Sequence, residues 1–169
     1  ETAINSLSGN SSWNDLDKMV IISFLESYKT AYALKRIDFL NSIFADDALI
    51  IVGSSVKVKK TAENPFTNSD IVRYNRLSKQ QYIKNLGQCF KSNEYVNIAF
   101  EESNLRRGGK DGELFGIQIK QNYYSTNYGD QGYLFLLVDL KNTDEPLIHV
   151  RTWQPERDED GSIFGLENF

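Results

Sequence analysis

The sequence predicts a single α+β domain in which helices pack on an antiparallel sheet, and three observations predict it. Two helical runs come first (14–34 and 37–44). A short apolar strand and a third helix follow. The second half then alternates over four long segments joined by polar turns rich in Gly and Asp. Short connections of that kind join antiparallel neighbours. With 169 residues the chain fits one domain with a substantial core.

Residues 1–13 read as a disordered lead-in rich in Ser, Asn and Gly. Ser12 or Asn14 then caps the first helix, with Asp15 and Asp17 favourable in its first turn. Leu16, Val20, Phe24, Tyr28, Ala31 and Tyr32 recur at helical spacing and give it an apolar, tyrosine-bearing face. Ile37, Leu40 and Phe44 do the same for the second helix. Leu49 to Val52 reads as a short buried strand. Between Gly53 and Leu77 the pattern weakens: Val56 to Lys59 alternates like an exposed ribbon, and Asn64-Pro65-Phe66 and Asn68-Ser69-Asp70 are turn chemistry. That stretch reads as an elaboration. Ser78 and Gln81 form a capping box opening a helix that runs to about Lys91, with Tyr82, Leu86 and Phe90 four residues apart. Strands are expected at Tyr95 to Ser103, Leu114 to Thr126, Gly132 to Leu140 and Leu147 to Trp153. The domain spans 14–155. The tail, 156–169, is acidic and then apolar (Ile163, Phe164, Leu166, Phe169), so part of it is expected to dock on the body.

Composition excludes more than it names. Hydrophobic residues at 40% and charged residues at 25% are ordinary for a globular chain. Ten Phe, nine Tyr and two Trp require a large core, a pocket or an interface. A net charge of −4 argues against nucleic-acid binding. No apolar run approaches the roughly 20 residues of a membrane span. The start at Glu1 reads as a trimmed or mature form, which fits a periplasmic or cell-envelope protein without its signal peptide, or a cytoplasmic one. One cysteine (Cys89) and one histidine (His149) exclude an internal disulfide and a His-rich metal site. Asp158, Glu159 and Asp160 lack the spacing of a calcium loop. Gly108, Gly109 and Gly112 lie in a hairpin and open no helix, which argues against phosphate binding. No metal and no cofactor are expected.

Strand parity sorts the faces. One set is almost wholly apolar: Val96, Ile98, Phe100; Ile117, Ile119, Gln121, Tyr123; Leu134, Leu136, Val138; Ile148, Val150, Thr152. It must face the helices. Its polar members, with Glu102, need partners or line a cavity. On the opposite face the last two strands carry Tyr133, Phe135, Leu137, Asp139, His149, Arg151 and Trp153. With Asp139 opposite His149, Phe135 lies beside Trp153 and Leu137 beside Arg151. Aromatic and arginine anchors in one patch have the composition of a protein interface. Either a partner or the C-terminal tail covers it. A one-residue slip would exchange the two faces.

The run Phe44-Ala45-Asp46-Asp47-Ala48-Leu49-Ile50-Ile51 after the second helix, and the closing Val150-Arg151-Thr152-Trp153-Gln154, resemble the NTF2-like (cystatin-like) superfamily over roughly residues 14–154. Gly132-Tyr133-Leu134-Phe135-Leu136 and Arg151-Thr152-Trp153-Gln154-Pro155 are similar to uncharacterised bacterial NTF2-like domains, often exported. The resemblance implies an α+β cone, with three N-terminal helices packed on a strongly bent, mainly antiparallel sheet. It also implies a pocket between helices and sheet, and an outer face that often makes the dimer. It implies no single function, since isomerases, polyketide cyclases, dehydratases, transport factors and association domains share the fold.

The candidate pocket is Tyr28, Tyr32, Asp47, Glu102, Gln121, Tyr123 and Thr152, suited to a small apolar ligand. The leading expectation is a non-catalytic small-molecule-binding or protein-association domain, a homodimer or one that docks to another protein domain. The alternative is a SnoaL- or ketosteroid-isomerase-like lyase or isomerase with Asp47 as general base, in the region where the resemblance implies one, and a tyrosine to hold an enolate oxygen. Asp46 and Asp47 equally suit the plain task of fixing a turn. Asp139, His149 and Ser125 do not make a triad, because parity puts Ser125 on the other face. Cys89 with His149 would require a spatial adjacency that the sequence does not show.

Overall fold

The computed structural model describes residues 15–57, 70–108, 113–158 and 160–169. Helix α1 (Asp15–Ala33) buries Ile21, Phe24, Tyr28, Ala31 and Tyr32, while Leu16 and Met19 near its start are exposed. The helix closes through Lys35, a non-glycine residue at φ 55°. Helix α2 (Ile37–Ile43) follows at once and buries Leu40 and Ile43. Strand β1 (Phe44–Lys57) leaves it directly, pairs with β2 (Asp70–Leu77), and is followed by α3 (Lys79–Ser92). The expected capping box is present on α3, and Tyr82, Leu86 and Phe90 are its buried face. Strands β3 (Val96–Gly108), β4 (Leu114–Ser125), β5 (Gly129–Asp139) and β6 (Leu147–Gln154) complete the fold, with a short 3-10 turn at Leu166–Asn168.

One six-stranded sheet results, in the order β2-β1-β6-β5-β4-β3. Every pairing is antiparallel except β1 with β6. One core lies between the helices and one face of the sheet, built on Ile117, Ile119, Leu134, Leu136, Val138 and Ile148. Alternation on β4 and β5 therefore sorts as the sequence predicts.

Several expectations are corrected here. Helix α3 lies after two strands rather than among leading helices. The strand expected at Leu49 to Val52 is the middle of a 14-residue one. The end of the supposed elaboration is a sheet strand, β2. Its alternation was hidden because β2 is an edge strand with Arg73, Tyr74, Asn75 and Arg76 exposed. The lead-in, its caps Ser12 and Asn14, the turn at Asn64-Pro65-Phe66 and the ribbon beyond Lys57 lie outside the described residues.

The largest correction concerns β6. Leu137 pairs with Val150 but Val138 pairs with Ile148, so His149 is an extra residue in the strand. Such a bulge reverses parity beyond it. Arg151 and Trp153 therefore pair with the core-facing Leu136 and Leu134, while Val150 and Thr152 pair with Leu137 and Phe135 on the outer face. Asp139 pairs with Leu147 and not His149. A second bulge in β3, between Phe100 and Ser103, leaves Glu102 exposed.

The outer patch is covered by the chain's own tail. Phe135, Leu137 and Val150 form a small apolar cluster against Phe164 and Leu166. Phe169 stacks on Phe135 with ring centroids 5.8 Å apart. Two side-chain amides fasten the segment: Gln154 Oε1 accepts from Phe164 N at 2.7 Å, and Gln118 Nε2 donates to Phe164 O at 2.9 Å. A Cβ at Gly116 would press on the Phe135 ring at 3.3 Å and meet Leu166 Cβ at an ordinary contact distance of 3.4 Å.

Candidate functional site

The two faces that matter are α1 with α3 on one side and β4 with β6 on the other. Four-residue spacing stacks Tyr28 and Tyr32 on α1, and Tyr82 with Leu86 on α3. Opposite them, the parity change in β6 brings in Arg151 and Trp153, and β4 supplies Gln121 and Tyr123. All of these but Tyr28, which is buried beneath, line a pocket of roughly 540 Å³, within the usual size range of small-molecule sites. Ser54 and Tyr128 are exposed at its edge.

Its floor is a tyrosine chain. The Tyr28 and Tyr32 hydroxyls lie 3.2 Å apart, and Tyr32 shares a short hydrogen bond with Tyr82. Burial, reinforced by the neighbouring phenols, holds the Tyr32 proton far more tightly than usual. Burial likewise raises the Tyr82 pKa to about 12, against the opposing pull of Arg151. Tyr32 and Tyr82 therefore stay protonated at neutral pH and act as neutral donors and acceptors.

Arg151 spans this floor. Its Nε donates to Tyr28 Oη at 3.3 Å, and the guanidinium lies 4.7 Å from the Tyr82 ring centroid. The side chain is only 8% exposed. Among the described residues no carboxylate lies within ion-pair distance of it, and neither Nη group has a protein acceptor. Such an unneutralised buried cation is unusual.

Two acceptors are also left over. Gln121, 4% exposed, has a buried Oε1 without a partner, and so does Asp130 at Oδ1. Asp130 Oδ2 accepts from Tyr128 Oη at 2.8 Å. Burial raises the Asp130 pKa, although the Tyr128 bond and the Arg151 charge both oppose the rise. On the wall, Cys89 Sγ and Tyr123 Oη are 3.2 Å apart. Burial and this thiol contact raise the Tyr123 pKa. Among the described residues no group of three His, Cys, Asp or Glu side chains is arranged to hold a metal.

Of the pocket residues expected from sequence, Tyr32, Gln121 and Tyr123 line this space, and Tyr28 lies fully buried in its floor. Asp47 is elsewhere. The β1–β6 register jumps between Phe44 and Leu49, so Asp46 and Asp47 stand out from the sheet and are exposed. Asp46 pairs with Lys79 at 3.1 Å, and both aspartates line a separate groove. Glu102 is exposed at its bulge, and Thr152 is fully buried on the outer face. Of the expected interface residues, Phe135 and Leu137 lie under the tail. Tyr133, Asp139 and His149 are partly exposed, and Arg151 and Trp153 face the pocket.

Tyr82, Tyr128 and Asp130 escaped the sequence reading. Tyr82 shows as an apolar-face residue of α3, which marks burial but not a pocket. Asp130 and Tyr128 sit where the sequence reads as turn chemistry. Nothing local in Leu147-Ile148-His149-Val150 marks the bulge.

With that geometry the molecule has the NTF2-like, or cystatin-like, fold. The solved structures it resembles include an NTF2-like protein of unknown function from Pseudomonas putida KT2440, with TM-score 0.59 and 9% identity over 90% of this chain and 96% of that one. Bd1075 of Bdellovibrio bacteriovorus aligns with TM-score 0.62 and 14% identity over 86% of this chain, which spans only 43% of the Bd1075 chain. A chain of naphthalene 1,2-dioxygenase aligns with TM-score 0.63 and 8% identity over 91% of this chain and 85% of that one. At such identities the likeness is one of fold. No protein-family model and no curated protein matches the sequence. No described helix is long and apolar enough to cross a membrane.

Proposed function

We propose that this is a non-catalytic, small-molecule-binding domain of the NTF2-like type, with its ligand held between α1, α3 and the sheet. The observation that carries this reading is the pair of buried, unpartnered acceptors, Gln121 Oε1 and Asp130 Oδ1, in one pocket with a guanidinium that, among the described residues, no carboxylate approaches to ion-pair distance. A well-packed core satisfies such groups. Both atoms are closed to solvent as well as unpaired, so a ligand entering the pocket would reach them after a small rotation of each side chain. Association through the outer face is supported less well, because the tail already occupies Phe135 and its neighbours. A homodimer, or docking to another domain, would use a different surface or displace that tail.

A lyase or isomerase is the second reading, and one observation favours it. Asp130 is a pocket carboxylate whose pKa is raised by burial, a feature of general bases. Asp47, in the other groove, does not support that role.

The test is a nitrogen-15 NMR titration with a fragment library containing neutral, anionic, cationic and zwitterionic members. Binding shifts the amides of Gln121, Tyr123, Asp130 and Trp153 and leaves those of the tail unmoved. A library that moves no amide around the pocket sinks the proposal. Chemical conversion of any bound fragment would promote the lyase or isomerase reading.

A further inference from the structure

Resting on the binding reading above, we infer that the ligand is a small zwitterion of the amino-acid type. Its carboxylate meets Arg151, and its ammonium meets Asp130 and Gln121.

The argument is one of complementarity among groups left over. The tyrosine hydroxyls already bond to one another and to Arg151 Nε. What remains is a cationic donor at Arg151, an anionic acceptor at Asp130 Oδ1 and a neutral acceptor at Gln121 Oε1. A neutral apolar ligand would strip water from the Arg151 guanidinium and return no bond to any of the three. An anion alone satisfies Arg151 but leaves both acceptors bare and faces the Asp130 charge. A cation alone has the converse fault against Arg151. A zwitterion supplies a fork of two oxygens for the planar guanidinium and several N–H donors for the two acceptors. Its net charge of zero also leaves the formal charge of the Arg151–Asp130 pair unchanged.

The walls set the rest of the chemistry. Trp153, Leu86 and Val52 give the pocket an apolar side, suited to a hydrophobic or aromatic substituent. Arg151 is held in place by its bond to Tyr28 and its contact with the Tyr82 ring, so little is lost in ordering it when the ligand arrives.

Calorimetric titration of the wild-type chain with the common amino acids tests this, each measured beside its des-amino acid and its decarboxylated amine. At least one amino acid should bind about tenfold or more tightly than either of its truncated analogues, shifting the Gln121, Asp130 and Arg151 amides. Asp130→Asn should lower that affinity to the level of the des-amino acid without weakening the des-amino acid itself, whose carboxylate no longer faces the Asp130 charge. A purely structural role for Asp130 would weaken both together. Neutral or singly charged probes that move these amides while no amino acid does would overturn the inference and leave the binding domain standing. Silence from every class of probe would overturn both.

Discussion

Replacing Asp130 by Asn should make the unliganded protein more stable while removing its recognition of an ammonium group. The side chain keeps its shape, and its carbonyl still accepts the hydroxyl of Tyr128. What disappears is a negative charge with one buried oxygen unpartnered. The amide nitrogen that takes the place of Oδ1 is itself unpaired, so only the burial cost of the charge is recovered; polar burial costs about 1–3 kcal/mol, and the partial exposure of Asp130 places the gain at the low end, about 1 kcal/mol. For 169 residues that corresponds to a rise of roughly 2–4 °C in Tm. The sign follows from proton linkage. The Asp130 pKa stands above 3.8 in the fold, so the folded chain holds the proton more tightly than the unfolded one. Wild-type stability therefore falls as pH rises through that window, and the ionised carboxylate is a net burden at neutral pH. Asn removes the burden, so its advantage is full above the raised pKa and vanishes below 3.8. Thermal and urea melts at pH 7 and below 3.8 measure it. Loss of stability at neutral pH would show that attraction to Arg151 outweighs desolvation. A gain that persisted unchanged in acid would show that charge is not its cause. Either result refutes the reasoning.

Four further outcomes are expected. Gly132→Ala places a Cβ 2.4 Å from Gln154 O and 2.6 Å from the Trp153 ring; overpacking of this kind costs about 1–3 kcal/mol, and a shift in Trp153 fluorescence together with a lowered denaturation midpoint checks it. Truncation after Ile163 removes Phe164, Leu166 and Phe169 from the Phe135 patch, and sedimentation velocity should show self-association that the full chain lacks at the same concentration. Stability should decline as pH rises from 10 towards 12, since the Tyr82 pKa is raised over that window and the unfolded chain loses this proton first; Tyr82→Phe, followed by melts across that range, should flatten the decline. Asp47→Asn should leave affinity for every pocket ligand unchanged within error, because Asp47 lines the other groove; a tenfold loss by calorimetry would contradict the placement.

The sequence by itself determined the local terms. The capping box Ser78–Gln81 and the spacing of Tyr82, Leu86 and Phe90 made α3 legible, because a helix start and its apolar face are set by residues within a few positions of each other. Alternation through Ile117, Ile119, Leu134, Leu136 and Val138 made the core face of β4 and β5 legible, since a strand's side-chain period is fixed by its backbone. Gln121 and Tyr123 lie on the pocket side of β4 by that same rule, and Tyr32 by the helical spacing of α1.

Only the tertiary structure decided what depends on counting across strands. Parity is a local rule that holds until one residue is inserted, and the extra His149 in β6 sends Arg151 and Trp153 to the pocket and Val150 and Thr152 to the outer face. Asp46 and Asp47 were pushed off the sheet in the same way, by the register jump of β1 against β6, two strands about a hundred residues apart in sequence. Whether Phe135 meets a partner or the tail depended on whether Phe164, Leu166 and Phe169 reach it. Above all, the unsatisfied state of Gln121 Oε1 and Asp130 Oδ1 is a property of everything around them. A sequence supplies the polar atoms; which of them lack a partner is known only once every neighbour is in place.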